Sequence, residues 1–473
     1  MDILVVLEDN NGTIHRMGIE SIAAAQHMAD SLGLSAGAMV MGKNADSLAT
    51  KASGYSLDEV LSVNHELLND YSSDGYAEAV KQVINKENPR YVLFGHSYQV
   101  RDYVPRVSAK LMRPFLADSI SIHVDEKEVS LTKQMFNAKY PFFTGSSEYM
   151  KIHFVKYAKF IKDNYLKSNC KIIEIGSNDG TFLENFKNSA LKYIGFEPSS
   201  NVAEVASKKR IKTLNEFFNQ ESIELIKDYK KNTEVIFAAN VICHIPNLID
   251  LIKSVEKLLS KKGVFIFEEP YLGEMFKKTS YDQIYDEHIF MFSGTAVKKI
   301  FDLFDMELID LIKQPTHGGS MRYVVARKGQ RDRSKSLSNI LDEEKLNNLD
   351  NYEFCEQFKM NCENSRHRLK KLLKNFKKDG KKIAGYAATS KSTTVLNYCK
   401  IGTDIIDYIC DTTDEKINKY SPGMHIPIVP IKHFRENIPD IAYLFAWNHK
   451  QEIFNKEKEF ISKNGKWISH VDL

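Results

Sequence analysis

Residues 1–169 contain no cysteine, and the six that follow (Cys170, Cys243, Cys355, Cys362, Cys399 and Cys410) include no C-x-x-C pair. That distribution excludes a disulfide framework and reads as reduced thiols in a cytoplasmic protein. No apolar run approaches the ~18 residues of a membrane span, and "MDILVVLEDNNG" meets an acid too early for a secretory signal. An excess of one charge sign is also missing, since 65 Lys and Arg stand against 62 Asp and Glu. There is therefore no global field to gather a nucleic acid polymer or an anionic membrane, and an anionic ligand has to be held locally. Two nucleotide signatures are absent as well, the phosphate loop G-x-x-x-x-G-K-[ST] and the dinucleotide fingerprint G-x-G-x-x-G.

What is present is enough apolar material for several cores. The chain has 473 residues, 43% hydrophobic and 27% charged, which at roughly 150 residues per domain predicts about three domains. Three α/β blocks follow from the pattern. "DILVVLE", "LSAGAMVMG" and "RYVLFGHS" read as strands, alternating with helical "SIAAAQHMADSLG" and "YAEAVKQVINKENP", which gives a first domain over 1–139. The turn-rich "NAKYPFFTGSSEYM" leads to the helix "KIHFVKYAKFIKDNYL", and alternation restarts at "CKIIEIGSNDGTFLENF" with strands at "KYIGFEP", "EVIFAAN" and "GVFIFEEP", giving a second domain over 140–329. A charged helical linker then enters a third block, 330–473, with strands at "KKIAGYAA", "IIDYICD" and "IAYLFAW". The expected fold class is α/β throughout, because strand-helix alternation favours sheets covered by helices.

The chemistry-bearing stretches sit at strand ends. "IIEIGSNDGTF" places Glu174 near the end of an apolar strand, followed by Gly176, Asn178, Asp179 and Gly180, then a helix. Glycines let the backbone turn sharply beside a ligand, and a helix start offers free N–H groups; a purely structural turn is the alternative. Some twenty residues on, "YIGFEP" ends in Glu197, positioned to accept both hydroxyls of a ribose. In "NEFFN", Phe217 or Phe218 either lays a ring on an adenine or belongs to the core. "YDQIYDEHIFMFSG" crowds tyrosines, acids and His288 into a few positions beside an apolar run. Burying such groups costs free energy unless they are paired.

The glycine loop and Glu197 resemble the class I S-adenosylmethionine (SAM) methyltransferases, in which the loop faces the methionine part and the acid holds the ribose. "EIGSNDGTFL", "NVICHIPNL", "YDEHIFMFS", "HGGSMR", "GYAATSKSTTVLNYCKI" and "YSPGMHIPI" together resemble the sugar C-methyltransferases that act on nucleotide-linked keto-deoxysugars. The resemblance spans about residues 140–473 and implies a central SAM-binding domain and a carboxy-terminal Rossmann-like domain serving the nucleotide-sugar, with no nicotinamide. It also implies base-promoted enolate formation. A base titrating near neutral pH favours histidine, and the resemblance places the Y-x-E-H pattern of Tyr285, Glu287 and His288 in the active site, implying His288 as the base with Tyr285 or Glu287 orienting the imidazole or bonding the enolate. His244, after the fourth strand, is a weaker candidate. His317, Ser320 and Arg322 are able to approach a sugar or diphosphate, although a glycine hairpin with a satisfied arginine explains the set as well. Thr389, Ser390 and Lys391 suit phosphate oxygens, and Tyr140 is placed near the sugar. Tyr281 and Asp282 are read as outside the chemistry, with "IFMF" anchoring the segment.

The amino terminus departs from that family, whose members begin with a four-cysteine zinc domain. Here the histidines at 15, 27, 65, 96 and 123 are scattered, so no zinc or other metal is expected. "ILVVLEDNNGTIHRMGIESIAAAQHMADSLG" and "RYVLFGHSYQVRDYVPRVSAKLMRPFLADSISI" instead resemble the N-terminal domain of the electron transfer flavoprotein α subunit. In that family flavin is held chiefly by another domain, whose Gly/Arg-rich signature is absent here, so no flavin is expected. The implied role is a scaffold: a lid, a homodimer face or a surface for a protein partner. The competing functions are an O- or N-methyltransferase, or a non-catalytic flavoprotein-like partner protein.

Overall fold

The computed structural model describes all residues except 11, 117–118, 126–127, 134–142, 188 and 286. Tyr140, assigned to the sugar by resemblance, lies outside the described residues. The chain divides into two compact units, Met1–Met135 and Phe136–Leu473; the main sheet of the first is four-stranded and parallel, and the second holds a mixed seven-stranded sheet and a parallel five-stranded one.

In the first unit four parallel strands, β1 (Ile3–Leu7), β2 (Ala36–Met41), β3 (Glu59–Val63) and β4 (Tyr91–Phe94), lie in the order β3-β2-β1-β4. Every residue of β1 is buried, as expected where helices cover both faces of a parallel sheet. Ile3, Val5 and Leu7 join Ile22, Ala25 and Met28 of α1 (Arg16–Leu32) on one face. Leu4 and Val6 join Val80 and Ile84 of α3 (Ser73–Glu87), with Val104 and Val107 of α4 (Tyr98–Leu111), on the other; α2 (Ala45–Ala52) adds Leu48 to the first.

The second unit begins with α5 (Glu148–Tyr165), started by the Ser147 hydroxyl accepting from Met150 N–H. Its large sheet runs β7-β6-β5-β8-β9-β11-β10, with β5 Lys171–Ile175, β6 Lys192–Phe196, β7 Thr213–Leu214, β8 Thr233–Ala239, β9 Leu259–Pro270, β10 Met306–Gln314 and β11 Ser320–Arg327. All are parallel except β11, which is antiparallel to both neighbours. The order reverses at β5/β8, and a crevice at the carboxyl ends of strands around such a reversal is where open α/β sheets take ligands. The apolar runs "KIIEI" and "KYIGF" build these central strands.

One local expectation is corrected. The residues after the glycine loop form only a 3₁₀ turn, Leu183–Phe186. The Asn185 amide donates to the Thr181 and Phe182 carbonyls, drawing those acceptors away from an α-helical ladder.

Helices α10 (Lys335–Leu346) and α11 (Tyr352–Lys378) lead to the third sheet, in the parallel order β14-β13-β12-β15-β16: β12 Ile383–Tyr386, β13 Tyr408–Asp411, β14 Ile428–Pro430, β15 Ile441–Leu444 and β16 Lys466–Ile468. Leu369 and Leu373 of α11 pack with Ile383, Ile409 and Tyr443 in its core, and Tyr281 belongs to the same cluster. The segment around His288 is thus tied into the third sheet's core as well as the second's.

Candidate functional site

The carboxyl ends of β5, β6, β8 and β9 open onto a cavity of about 220 Å³. Gly176, at φ 68°, begins the turn after β5, and a Cβ there would lie 2.4 Å from Val241 Cγ2. Only glycine lets the loop pass this close to the turn after β8. Asn178, also left-handed at φ 48°, donates its N–H to Glu197 Oε2 at 2.9 Å, and Ser199 N–H donates to Oε1 at 2.8 Å. Burial pushes the Glu197 carboxyl up, opposed by these two bonds. An ionised carboxylate has about four acceptor positions, so each oxygen retains capacity for a ribose hydroxyl.

Three further observations fit SAM. Asn240, at the end of β8, has a buried Oδ1 with no hydrogen-bond partner among the described residues, and it lines the cavity. Phe217 is exposed at the rim while Phe218 is buried edge-on against Phe196, ring centroids 5.1 Å apart. Of the two rings, Phe217 is therefore the one with a face available for stacking. The Asn178 side chain accepts from Thr144 N–H at 3.0 Å, which brings the turn before α5 to the cavity wall.

Another wall is formed by Gln283, Tyr285, Glu287 and His288. It is pinned by Ile289 and Phe290 N–H donating to Cys243 O at 3.0 and 3.2 Å. Gln283 O stands 2.9 Å from His288 Nδ1, and Glu287 O stands 2.6 Å from His244 Nδ1. A carbonyl only accepts, so both Nδ1 atoms carry the proton and both Nε2 atoms present lone pairs. The two imidazoles have centroids 5.1 Å apart, and the Tyr285 ring lies 4.1 Å from that of His288. Burial, then the neighbouring His244, drives His288 down to about 3, with Lys391 acting the same way and the Gln283 carbonyl opposing. The expectation of a base titrating near neutrality is corrected: His288 is neutral far below pH 7. Of "IFMF", Phe292 is buried and Phe290 packs half-buried against the same core, so those two rings anchor the segment.

Cys243, His244 and His288 present ligand-type atoms within 4.8 Å of one another. The Cys243 thiol is pushed well up by burial and by the adjacent Glu269 carboxylate.

A third wall comes from the hairpin before β11 and from the carboxy-terminal sheet. His317 adopts φ 53° ahead of Gly318 at φ 87°; a Cβ on Gly318 would fall 2.0 Å from the Trp447 ring. His317 Nε2 is buried with no partner among the described residues and borders the cavity. Lys391, His449 and Gln283 complete this side. Lys391 follows β12, and its Nζ stands 3.4 Å from Asn448 Oδ1 and 4.9 Å from the centre of the Trp447 ring. Burial draws its pKa down, opposed by the Asp282 carboxylate.

The cavity therefore gathers Gly176, Asn178, Glu197, Phe217, Phe218, His244, Tyr285, Glu287, His288, His317 and Lys391 from the sequence-level candidates. Others lie elsewhere. Arg322 is corrected: its Nε donates to Glu268 at 2.7 Å, and its guanidinium stacks 3.9 Å from the Tyr157 ring centre, while His153 Nε2 meets the other Glu268 oxygen at 2.6 Å. Its cation is spent inside the sheet. Asp179 accepts from Gly145 and Thr181 N–H, which braces the loop from behind. Gly180 packs against Ala206 and Ile211, and Glu174 is buried beneath the loop with its pKa pushed well up by burial. Thr389 caps α12 (Ser390–Cys399) by accepting from Ser392 N–H, and Ser390 is exposed.

Asn240 and His449 escaped the sequence reading. Asn240 was legible as the polar residue ending "EVIFAAN"; His449, in "FAWNHK", had no comparable signal. Asp282, read as outside the chemistry, is fully buried and accepts from Trp447.

Three family models match: "Electron transfer flavoprotein domain" over residues 3–141, "Methyltransferase domain" over 149–311 and "C-methyltransferase C-terminal domain" over 315–471. The chain is 30% identical to C-methyltransferase NovU of Streptomyces niveus over 299 residues, 63% of this chain and 71% of that protein. It is 31% identical to the electron transfer flavoprotein subunit alpha of Thermoanaerobacterium thermosaccharolyticum over 130 residues, 28% of this chain and 39% of the relative, and 30% identical to that of Bacillus subtilis over 137 residues, 29% and 42%. The chain thus spans less than half the length of these flavoprotein relatives. Among solved structures, a SAM dependent methyltransferase from Archaeoglobus fulgidus aligns with TM-score 0.30 at 16% identity, covering 38% of this chain and 94% of that one.

Proposed function

Because the chain belongs to the C-methyltransferase family and uses SAM through its methyltransferase domain, we propose that it methylates a carbon beside the ketone of a nucleotide-linked keto-deoxysugar. SAM, when bound, supplies an electrophilic methyl group. The remaining task is to make a nucleophile of carbon, by removing a proton next to the carbonyl.

The observation that carries this reading is the 2.9 Å approach of His288 Nδ1 to the Gln283 carbonyl, from which the tautomer follows. With Nδ1–H committed to Gln283 O, Nε2 offers its lone pair in the same cavity as the glycine loop and Glu197. A proton-abstracting base needs both an open lone pair and a fixed ring. The α-proton passes to His288 Nε2 and the C–H electron pair moves into the carbonyl, giving an enolate. Tyr285 and His244, tilted against the ring, keep its orientation. On this reading residues 140–329 hold the methyl donor and supply the base, 330–473 enclose the nucleotide-sugar, and the flavoprotein-like 1–139 offers a dimer or partner surface.

The test is His288→Asn, assayed with isotopically labelled SAM and candidate keto-sugar nucleotides, with NMR locating the label. Methyl transfer to carbon is expected to be lost while SAM binding is retained. Label on oxygen or nitrogen in the wild-type product, or near-wild-type turnover by the variant, overturns the reading.

A further inference from the structure

Lys391 is the one lysine or arginine lining the cavity among the described residues. It is held by an amide oxygen, Asn448 Oδ1, and by the face of Trp447; the Asp282 carboxylate supports its charge through space, and no ion pair to it is found among the described residues. Trp447 is fixed in turn, because its indole N–H donates to the buried Asp282 carboxylate at 2.7 Å. Asp282 belongs to the segment that carries His288, so the ammonium and the base are positioned by one contiguous structure.

The surroundings disfavour a diphosphate partner for this lysine. Thr389 is occupied in capping its own helix, Ser390 is exposed, and Arg322 is bound to Glu268. A diphosphate brings two charges and many acceptor oxygens, for which a single cation on this wall is a poor match. Its field instead reaches the imidazoles: Lys391 contributes to lowering His288, His317 and His449. A cation that opposes an imidazolium before proton transfer favours the anion that appears beside that imidazolium afterwards.

We propose that the Lys391 ammonium stabilises the enolate oxygen formed when His288 removes the α-proton, making it the electrostatic catalyst of carbon-acid ionisation rather than a phosphate ligand. The inference rests on the keto-sugar reading above. The balance is simple: one C–H bond breaks, its proton goes to His288 Nε2, its electron pair becomes the enolate, and the carbonyl oxygen takes the charge opposite Nζ. Lys391 keeps its protons throughout. A fixed donor aimed at a developing oxyanion typically contributes about 10²–10³-fold in rate.

Enolate formation can be read without methyl transfer. The full-length protein with S-adenosylhomocysteine is incubated in D₂O with keto-deoxyhexoses linked to thymidine, uridine, cytidine or guanosine diphosphate, and loss of the α-proton signal is followed by NMR. Wild type is expected to exchange at least one of these sugars. At saturating sugar, Lys391→Met is expected to lose about 10²–10³-fold in exchange rate, with S-adenosylhomocysteine affinity unchanged; Lys391→Arg, which keeps the charge, recovers part of it. A raised KM with the saturated exchange rate intact in Lys391→Met makes the residue a phosphate ligand and overturns the proposal. If Lys391→Met does not fold, Lys391→Arg decides: exchange as slow as in His288→Asn overturns it. Wild type that exchanges none of the sugars sinks the keto-sugar reading itself, which is a separate outcome.

Discussion

Trp447 and Asp282 are 165 residues apart in sequence and joined by a 2.7 Å hydrogen bond from the indole N–H to Oδ2. His470 Nε2 stands 3.2 Å from the other carboxylate oxygen. All three side chains are buried. Burial pushes the Asp282 carboxyl up, but His470, Lys391 and Trp447 outweigh it and hold it below the ordinary 3.8. Removing the carboxylate leaves the buried indole N–H and His470 Nε2 without this partner, and a buried polar group left unsatisfied costs about 1–3 kcal/mol. Asp282→Ala is expected to lose that much stability in urea unfolding, and Asp282→Asn, which keeps one oxygen acceptor, appreciably less. Equal stability of all three proteins would show that the carboxylate does not join the two sheets.

The depressed His288 has two consequences for pH. Its folded-state value is about 3 against an ordinary 6.5. Between those values the unfolded chain binds the extra proton, so stability is full above 6.5 and falls as pH drops through that window. From this residue alone the loss between pH 7 and 5 is roughly 2 kcal/mol. Denaturant midpoints of His288→Asn are expected to depend less on pH over that range than those of wild type. For catalysis, kcat/KM reports the ionisations of free enzyme and substrate; its acid limb is expected to show no inflection from His288 near 6.5. An imidazole NMR titration that places His288 near 6.5 in the folded wild type contradicts the buried environment described above.

The sheet architecture was legible because each central strand is a short apolar run ending in turn residues, as in "KIIEIGSNDG" and "EVIFAAN". Glu197 was legible for a related reason: strand ends set where a polar residue can meet a ligand. Two of the assignments that moved depended on partners distant in sequence. Arg322 pairs with Glu268 across 54 residues, a choice fixed by strand register between β9 and β11 that one sequence does not display. Asp282 looked peripheral because Trp447 and His470 arrive from another sheet. The 3₁₀ turn after the glycine loop was hidden for a local reason, the competition of the Asn185 side chain for backbone carbonyls.

Glu197 and Asp179 provide the contrast that tests the SAM side. Both carboxylates are buried and both accept backbone N–H groups, but only Glu197 lines the cavity. If Glu197 holds the ribose hydroxyls as proposed, Glu197→Ala removes their acceptor together with the bond to Asn178 N–H; losing hydrogen bonds to a charged group costs about 1–3 kcal/mol. SAM affinity by calorimetry is expected to fall by that amount, whereas Glu197→Gln, with one acceptor oxygen left, keeps part of it. Asp179→Ala acts through the loop it braces, so its first effect is expected in unfolding, with any loss of SAM affinity following from a displaced Asn178. The decisive measurement is therefore affinity against stability for the two variants. If Glu197→Ala binds SAM as wild type does while Asp179→Ala loses binding at unchanged stability, the ribose is held from the other side of the glycine loop.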